Sequence, residues 1–254
     1  MYRLTDVEVI RDGKKILNVP DLTIAAGDFT VVLGHNGSGK STLVKLLAAE
    51  LQADHGSVAW QDKPVTDYNK KILAQQVAYL PQKLPEVSGL NVEELIRLGR
   101  YPWRGALGRW NDEDQKYIDQ AINQTGLAAL RQHLADELSG GERQRAWIAM
   151  LLAQQSGLLI LDEPTSALDI QYQIQVMELL KAVNQINQRG IVVILHDLNL
   201  ALRYASQVIA LKQGEVLFTG EAKTVLTAEN LSQLYNTEIQ LIPHPTRSEQ
   251  VVIL

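Results

Sequence analysis

The order of apolar and polar positions predicts a chain of alternating strands and helices. An apolar, β-branched run at 28–34, "DFTVVLG", ends in glycine, and the segment 40–51 that follows has leucines at the spacing of one helix face. Further strands are predicted at 54–60 and at 75–82, the latter stopped by Pro81. The first part of the chain therefore has the order strand, loop, helix, strand.

The middle of the chain changes to a helical pattern before strands return. From about residue 84 to 155, apolar residues recur every three or four positions. Continuous apolar runs at 157–164 and 190–198 are typical of buried parallel strands. A Gln-Gly turn between two strand-like runs predicts a hairpin over 207–220.

These patterns predict a single domain whose core is interrupted by helices. We assign a core to 1–82 and 157–220, and a helical subdomain to 83–156. The remaining tail, 221–254, is too short for a large regulatory domain.

Composition narrows the classes of function. The 254 residues are 46% hydrophobic and 21% charged, which is ordinary for a globular protein. A net charge of -5 gives no basic excess, so nucleic acid is not an expected partner. No apolar run approaches the roughly 18 residues of a membrane span, so another chain would have to hold this one at a membrane. The absence of cysteine excludes disulfides and thiolate metal sites.

A glycine-rich segment between a predicted strand and a predicted helix has the spacing of a phosphate-binding loop. In "GHNGSGKST", the glycines Gly34 and Gly39 are followed by Lys40 and Ser41. Such glycines let backbone N–H groups surround phosphates, the lysine contacts the terminal phosphates, and the serine hydroxyl binds magnesium. A glycine-rich turn is the alternative, but the strand-loop-helix context favours a phosphate site.

Two carboxylates follow the apolar residues of "LLILDE". Asp162 would reach a magnesium ion beside Ser41, while Glu163 would face the terminal phosphate as a general base toward water. A solvated acidic turn is the commoner meaning of an Asp-Glu pair, but a phosphate loop needs an acidic residue to hold its metal ion. We therefore expect both carboxylates in the nucleotide site.

Two more polar side chains end predicted strands. Gln82 follows one strand and His196 follows another. Because ligands of open α/β sheets collect at the carboxyl ends of strands, both are predicted to converge on the same phosphate. For His196 taken alone, a hydrogen-bonded structural role is the alternative.

A second glycine pair lies in "ELSGGERQR", residues 137–145. Ser139 and Glu142 fit a capping box, which by itself predicts a well-capped helix start. Capping does not require Gly140 and Gly141, whereas the approach of a backbone to an anion does. Because the phosphate loop already has its own helix N-terminus, we interpret the second loop as touching nucleotide held by another copy of the chain.

Six motifs in this order resemble those of the ATP-binding subunits of ATP-binding-cassette (ABC) transporters, over nearly the whole chain. They are the Walker A motif at 34–42, the Q-loop at Gln82, the signature "LSGGERQR", the Walker B motif "LLILDE", the D-loop at 166–169 and the switch histidine His196. The resemblance implies an α/β fold with a P-loop NTPase (RecA-like) core, an N-terminal antiparallel β subdomain and an inserted helical subdomain.

The resemblance also implies ATP and Mg²⁺ as cofactors. A head-to-tail homodimer would hold two ATP molecules between Walker A of one subunit and the signature of the other. The implied ATP-binding residues are Gly34, His35, Asn36, Gly37, Ser38, Gly39, Lys40, Ser41, Thr42, Arg11, Ser139, Gly140 and Gly141. The implied catalytic residues are Lys40, Gln82, Glu163 and His196, and the implied magnesium ligands are Ser41, Gln82 and Asp162.

One position departs from the family pattern. Members usually have an aromatic residue that stacks on adenine in the N-terminal turn, and its position here is occupied by Arg11. A guanidinium plane can stack on a base, so adenine packing remains open, but base selectivity is in question.

Within the family, two segments resemble the ATPases of bacterial iron–siderophore importers, especially those for ferric hydroxamates such as ferrichrome. They are "GRYPWRGALGRW" at 99–110 and "NLSQLYNTEI...IPHP" near the end of the chain. The resemblance implies a peripheral position on the cytoplasmic face of the inner membrane. Two permease subunits, or one fused permease, and a periplasmic or lipid-anchored siderophore-binding protein are the implied partners.

Other functions remain as alternatives. Importers of heme or vitamin B12 have similar ATPases. A non-transport cassette protein would be expected to have two cassettes or a long coiled-coil insertion, and an exporter subunit would usually be fused to membrane helices. A nucleotide-binding scaffold without hydrolysis is disfavoured by Glu163 and His196.

Overall fold

A computed structural model of the chain describes residues 1–105, 108–166, 168–244 and 250–253. The strands in chain order are β1 Tyr2–Arg11, β2 Lys14–Ile24, β3 Phe29–Leu33, β4 His55–Trp60, β5 Lys63–Pro64, β6 Val77–Leu80, β7 Leu158–Leu161, β8 Gly190–Ile194, β9 Gln207–Lys212, β10 Glu215–Glu221, β11 Gln240–Pro243 and β12 Gln250–Ile253. The helices are α1 Lys40–Leu47, α2 Lys70–Gln76, α3 Val92–Arg97, α4 Tyr101–Arg104, α5 Asp112–Gln124, α6 Gly140–Ala153, α7 Ile170–Asn187, α8 Leu198–Tyr204, α9 Ala222–Val225 and α10 Ala228–Tyr235.

The chain divides into two compact units, one formed by Met1–Tyr68 with Gly190–Leu254 and the other by Asn69–Arg189. In the first unit the strand order is β5-β4-β1-β2-β10-β9-β3-β8. The strands β1, β2, β4 and β5 pair antiparallel, whereas β3 pairs parallel with both β8 and β9. All five residues of β3 and all five of β8 are buried, as expected for central parallel strands.

The second unit contains the parallel pair β6 and β7 and the helices α2 to α7. The helix α6 packs against α3 and α5, and its inward face buries Ile148, Leu151 and Leu152. Asn91 and Asn111 close capping boxes at the starts of α3 and α5, which explains where these helices begin. The predicted α/β class, the N-terminal antiparallel strands and the helical region are therefore confirmed.

Several predicted element boundaries are correct and others are wrong. The hairpin of β9 and β10 turns at Gln213 and Gly214, which both have positive φ, as expected. The helix predicted over 40–51 ends at Leu47, because Ala49 has a φ of 55° and the next two amides bond back to the Lys45 carbonyl. The last turn of the predicted helix is therefore a loop.

Three predicted strands are too long. The strand expected at 157–164 is β7, which begins at Leu158 and ends at Leu161. The strand expected at 75–82 is β6, which begins at Val77, because the two residues before it complete α2, and it ends before Pro81 as predicted. The strand expected at 190–198 ends at Ile194, because the Asp197 carboxylate accepts the first amides of α8. None of the helices in the described ranges is long and apolar enough to cross a membrane.

Candidate functional site

The predicted phosphate loop joins β3 to α1 in the first unit. Gly34, Gly37 and Gly39 have φ values of 146°, 78° and 99°, in the left-handed region that side chains disfavour. Gly39 precedes α1 without a side-chain cap, so the N-terminus of this eight-residue helix is left for an anion. The glycine spacing read from the sequence therefore corresponds to a backbone that only glycine adopts easily.

Gly34 is also required by its packing. A Cβ atom on Gly34 would lie 2.2 Å from the Leu211 carbonyl oxygen and 2.5 Å from the Ser38 Oγ. Leu211 belongs to the hairpin of β9 and β10, which supports the loop from one side. The Gly214 amide at the turn of this hairpin donates to the Ser38 carbonyl at 3.1 Å. The loop is therefore pressed against β9 and its turn, and a methyl group at Gly34 would push it away.

Lys40 lies inside the phosphate loop. Its ammonium group donates to the carbonyl oxygens of Gly34 and His35 at 2.8 and 2.9 Å, and the residue is 5% exposed. His35, Asn36 and Gly37 at the loop tip are exposed, while Ser41 and Thr42 at the start of α1 are half-buried. The loop thus combines a buried cation with an accessible tip, as phosphate binding requires.

His196 belongs to the same unit as the phosphate loop and follows β8. It is exposed, and the next residue, Asp197, caps α8 by accepting the amides of Asn199 and Leu200 at 2.7 and 3.1 Å. His35 and His196 both line a cavity of about 530 Å³. The structure therefore brings His196, the predicted switch histidine, and the tip of the loop to one cavity.

Arg11 ends β1, beside the turn at Asp12 and Gly13. Its guanidinium donates to the Ile10 carbonyl at 2.7 Å and to the Asp54 carboxylate at 3.4 Å, and its side chain is 47% exposed. These contacts hold the guanidinium between the end of β1 and the residue that precedes β4. Its stacking on adenine stays a prediction.

In the second unit, Gln82 and Glu163 lie together. The Gln82 amide donates to a Glu163 carboxylate oxygen at 2.7 Å. The contact arises because β6 and β7 are parallel and in register up to Leu80 and Leu161, so both side chains follow the same sheet edge. Glu163 has a φ of 51°, unusual for a side chain of this type, which is a form of backbone strain often found at functional positions.

Asp162 is 2% exposed, and its amide donates to the Leu80 carbonyl at 2.9 Å. The bond continues the ladder of β6 and β7 by one residue, so the position of Asp162 is set by the sheet. Of the D-loop, Ser166 donates to the Glu163 carbonyl at 3.1 Å and Asp169 caps α7, whereas residue 167 lies outside the described residues.

The predicted capping box at the signature is confirmed. Ser139 accepts the Glu142 amide, and the Glu142 carboxylate accepts both the Ser139 amide at 3.0 Å and the Ser139 hydroxyl at 2.6 Å. These hydrogen bonds from Ser139 lower the pKa of the Glu142 carboxyl. The start of α6 is therefore a fixed, negatively capped helix end.

The two signature glycines have different surroundings. A Cβ atom on Gly140 would meet nothing within 4 Å, whereas one on Gly141 would lie 3.2 Å from the Tyr172 ring. Close packing against Tyr172 of the same chain therefore explains why a glycine occupies position 141, and the sequence analysis missed this explanation. Gly140 has no such reason among the described residues, and its contact with a partner's nucleotide stays a prediction.

An ionic cluster anchors the segment that leads into the signature. Glu93 on α3 accepts two hydrogen bonds from Arg131, at 2.7 and 2.8 Å, and one from Arg97 at 3.0 Å. The backbone of this segment is also tied to α3, because the Val92 amide donates to the His133 carbonyl. The Arg131 guanidinium is the main reason that the pKa of Glu93 is lowered to about 2.

The segment 99–110 forms α4 and its flanks, with residues 106 and 107 outside the described residues. Three aromatic side chains form a surface that we call the aromatic patch: Tyr101, Trp103 and Trp110, which are 59%, 43% and 45% exposed. The buried Arg100 lies 5.4 Å from the centre of the Trp103 ring and donates to Asp114 at 2.9 Å. A buried ion pair therefore lies next to Trp103, while the three aromatic side chains remain exposed.

The model of the ABC transporter family matches residues 17–166 of the chain. Among curated relatives, the ferric enterobactin transport ATP-binding protein FepC of Escherichia coli is 38% identical, over 93% of this chain and 86% of its own length. The iron(3+)-hydroxamate import ATP-binding protein FhuC of Bacillus subtilis is 38% identical, over 92% of this chain and 87% of its own length. The hemin import ATP-binding protein HmuV of Streptomyces coelicolor is 37% identical, over 95% and 85%.

Two solved structures of ABC proteins are also similar to this chain. A transporter described as a metal-chelate type ABC transporter, in an inward-facing conformation, superposes with a TM-score of 0.84 at 25% identity, covering 100% of this chain and 97% of that one. The ATP-binding cassette MJ0796, in a dimeric post-hydrolysis state bound to ADP and Pi, superposes with a TM-score of 0.77 at 29% identity, covering 87% and 99%.

Proposed function

The chain belongs to the ABC transporter family, and from that premise we propose that it is the ATP-hydrolysing subunit of an importer for an iron–siderophore complex of the ferric hydroxamate class. The single observation that carries the hydrolytic role is the hydrogen bond between Gln82 and Glu163 at the ends of β6 and β7. The relative named for ferric enterobactin supports an iron–siderophore cargo, and the relative named for iron(3+)-hydroxamate supports the hydroxamate class. Heme import is the second candidate, supported by the similarity to the hemin relative.

ATP binds at the phosphate loop in this proposal. Residues 34–42 surround the phosphates with backbone amides, and Lys40 turns from the loop carbonyls to the terminal phosphates. Arg11 contributes to the base end of the site. The support is the positive φ of three loop glycines and the buried ammonium group, which together make a cradle for an anion.

The three predicted metal ligands suit magnesium. Ser41, Gln82 and Asp162 offer a hydroxyl, an amide carbonyl and a carboxylate, which are the hard oxygen ligands that Mg²⁺ takes. Asp162 is buried at a strand end, where its position is set by the sheet. Bound magnesium would neutralise charge on the phosphate oxygens.

Hydrolysis is then carried by side chains of this chain. Glu163 accepts a proton from water as the water oxygen bonds to the γ-phosphorus, and the bond to the bridging oxygen breaks to release ADP and phosphate. Gln82 orients Glu163 through their hydrogen bond. His196 and Lys40 stabilise charge on the terminal phosphate.

The proposed working unit is a head-to-tail homodimer, supported by the dimeric cassette structure. Ser139, Gly140 and Gly141 would contact the partner's ATP at the N-terminus of α6. Closure and reopening of this dimer would drive two permease subunits, or one fused permease. A siderophore-binding protein would deliver the cargo, and no nucleic acid takes part.

The aromatic patch is the proposed contact with the permease, on the cytoplasmic face of the inner membrane. Large aromatic side chains that remain exposed are typical of partner contacts. In the family that this chain resembles, the helical subdomain faces the membrane subunits. The division into core, helical subdomain and tail remains a part of this proposal.

Hydrolysis is tested with Glu163→Gln. We expect turnover of ATP to fall at least about a hundredfold with ATP binding retained, because the amide cannot accept the proton. Glu178→Gln, an exposed carboxylate on α7, serves as a control and should keep wild-type turnover. Equal rates for Glu163→Gln and wild type would exclude Glu163 as the base.

The cargo is tested by uptake of radiolabelled iron into cells. Iron is supplied as ferrichrome, as heme or as the free ion, with wild type, Lys40→Ala or the exposed control Lys45→Ala as the only copy. Loss of ferrichrome uptake alone with Lys40→Ala supports the hydroxamate importer. Loss of heme uptake alone supports the second candidate, and no loss at all refutes both.

A further inference from the structure

Tyr235, the last residue of α10, touches the phosphate loop, although it belongs to none of the six nucleotide-site motifs and lies instead in the segment "NLSQLYNTEI" near the end of the chain. Its ring lies 5.1 Å from the His35 ring, centroid to centroid, at an angle of 66°. This edge-to-face arrangement is a favourable geometry for two aromatic rings. The tip of the loop is therefore in contact with a residue 200 positions away in the chain.

The Tyr235 hydroxyl is shielded from solvent and lies beside the backbone of Gly34 in the phosphate loop. Burial raises the pKa of Tyr235 to about 12, and the neighbouring Gly34 backbone opposes this rise. The hydroxyl is therefore neutral at physiological pH, and the tyrosine acts here mainly through its ring.

The position of Tyr235 is itself fixed. Lys212 at the end of β9 donates to the Gln233 carbonyl and, at 2.7 Å, to the Asn236 side chain. Asn236, the residue that follows α10, has a left-handed φ of 51°. The end of α10 is therefore held against the hairpin of β9 and β10, which also supports the phosphate loop.

The end of the chain reaches the other side of the same region. The Val252 amide on β12 donates to the Asn199 side chain at 2.8 Å, at the start of α8. The cavity of about 530 Å³ that His35 and His196 line is also lined by Tyr235 and Val252. Residues near the end of the chain therefore border both the phosphate loop and the segment that carries the switch histidine.

We propose that Tyr235 is a positioning residue of the nucleotide site, whose ring holds His35 and thereby the tip of the phosphate loop in the conformation that binds ATP. The proposal rests on the proposed function only in that ATP is the ligand. If Tyr235 has this role, α10 determines the affinity for nucleotide in addition to being part of the core.

The test measures KM and kcat for ATP hydrolysis, together with the Kd for a fluorescent ATP analogue. Tyr235→Ala removes the ring, so we expect KM and Kd to rise about fivefold while kcat changes less than about twofold. Tyr235→Phe keeps the ring and loses only the hydroxyl, so it should keep both constants within about twofold of wild type.

Leu234→Ala is the matched control. It removes a fully buried side chain next to Tyr235, so it should lower Tm without raising KM or Kd for nucleotide. Wild-type constants for Tyr235→Ala, or an equal rise for Leu234→Ala, would overturn the proposal. If wild type binds the analogue but does not hydrolyse ATP, the proposed function fails while the Kd comparison still decides the role of Tyr235.

Discussion

Replacing Glu93 with glutamine tests whether the ionic cluster before the signature stabilises the fold. The carboxylate receives a forked pair of hydrogen bonds from Arg131 and further bonds from Arg97, Gln115 and Gln132, at 2.7 to 3.3 Å. Glu93→Gln keeps the shape of the side chain and removes its charge. The cost of the substitution therefore reports on the charge-assisted bonds.

The lowered pKa sets the size of the effect. A fall from 4.5 to about 2 corresponds to roughly 3.4 kcal/mol, at about 1.36 kcal/mol for each pH unit. The two arginines are 35% and 39% exposed, so solvent screens their attraction to the carboxylate. We therefore expect Glu93→Gln to lower the free energy of unfolding by about 2 kcal/mol at pH 7, and Tm by about 5 °C.

The sign of the pH dependence follows from the direction of the pKa change. Because the folded-state pKa of Glu93 is depressed, the stabilisation is complete above the unfolded value of about 4.5 and is lost as pH falls toward about 2. Urea denaturation at pH 7 and at pH 4 measures the difference between wild type and Glu93→Gln, which should narrow at the lower pH. Glu137→Gln, an exposed carboxylate of the same unit, is the control. A difference below about 0.5 kcal/mol at pH 7, or one that widens in acid, would refute the reasoning.

Three further predictions concern the nucleotide site. Gly34→Ala should abolish binding of a fluorescent ATP analogue, because its Cβ would lie 2.2 Å from the Leu211 carbonyl oxygen; retained affinity would contradict this packing argument. Gly140→Ala should keep the wild-type Tm, since a Cβ meets nothing within 4 Å, yet lose at least about tenfold in ATPase rate if a partner's nucleotide lies there; an unchanged rate would remove Gly140 from the dimer site. Arg11→Tyr should lower KM for ATP relative to GTP by about threefold, and equal ratios in both proteins would show that Arg11 does not contact the base.

Features that depend on a few neighbouring residues were predictable from the sequence. The phosphate loop is one, because the glycine spacing, the following lysine and the flanking apolar runs all lie within a short segment. The capping box of Ser139 and Glu142 is another, since both of its hydrogen bonds span three residues. In each case the interactions that define the feature are local, so residue type and spacing suffice to predict them.

Element ends were less predictable for a related reason. The apolar spacing of 40–51 continues beyond the point where α1 ends, because Leu51 keeps the helical period while Ala49 takes a left-handed conformation. A periodic pattern records which face is buried, but it does not record where the backbone turns.

Only the tertiary structure decided which distant residues meet. The bond between Gln82 and Glu163 joins residues 81 positions apart, and it depends on the pairing of β6 with β7. Tyr235 lies in the segment "NLSQLYNTEI", and no residue near it in the sequence indicates that its ring contacts His35. The residues that contact phosphate could be predicted from short motifs, because neighbouring backbone groups make those contacts. The residues that hold the motifs in place could not be predicted, because their packing depends on the whole fold.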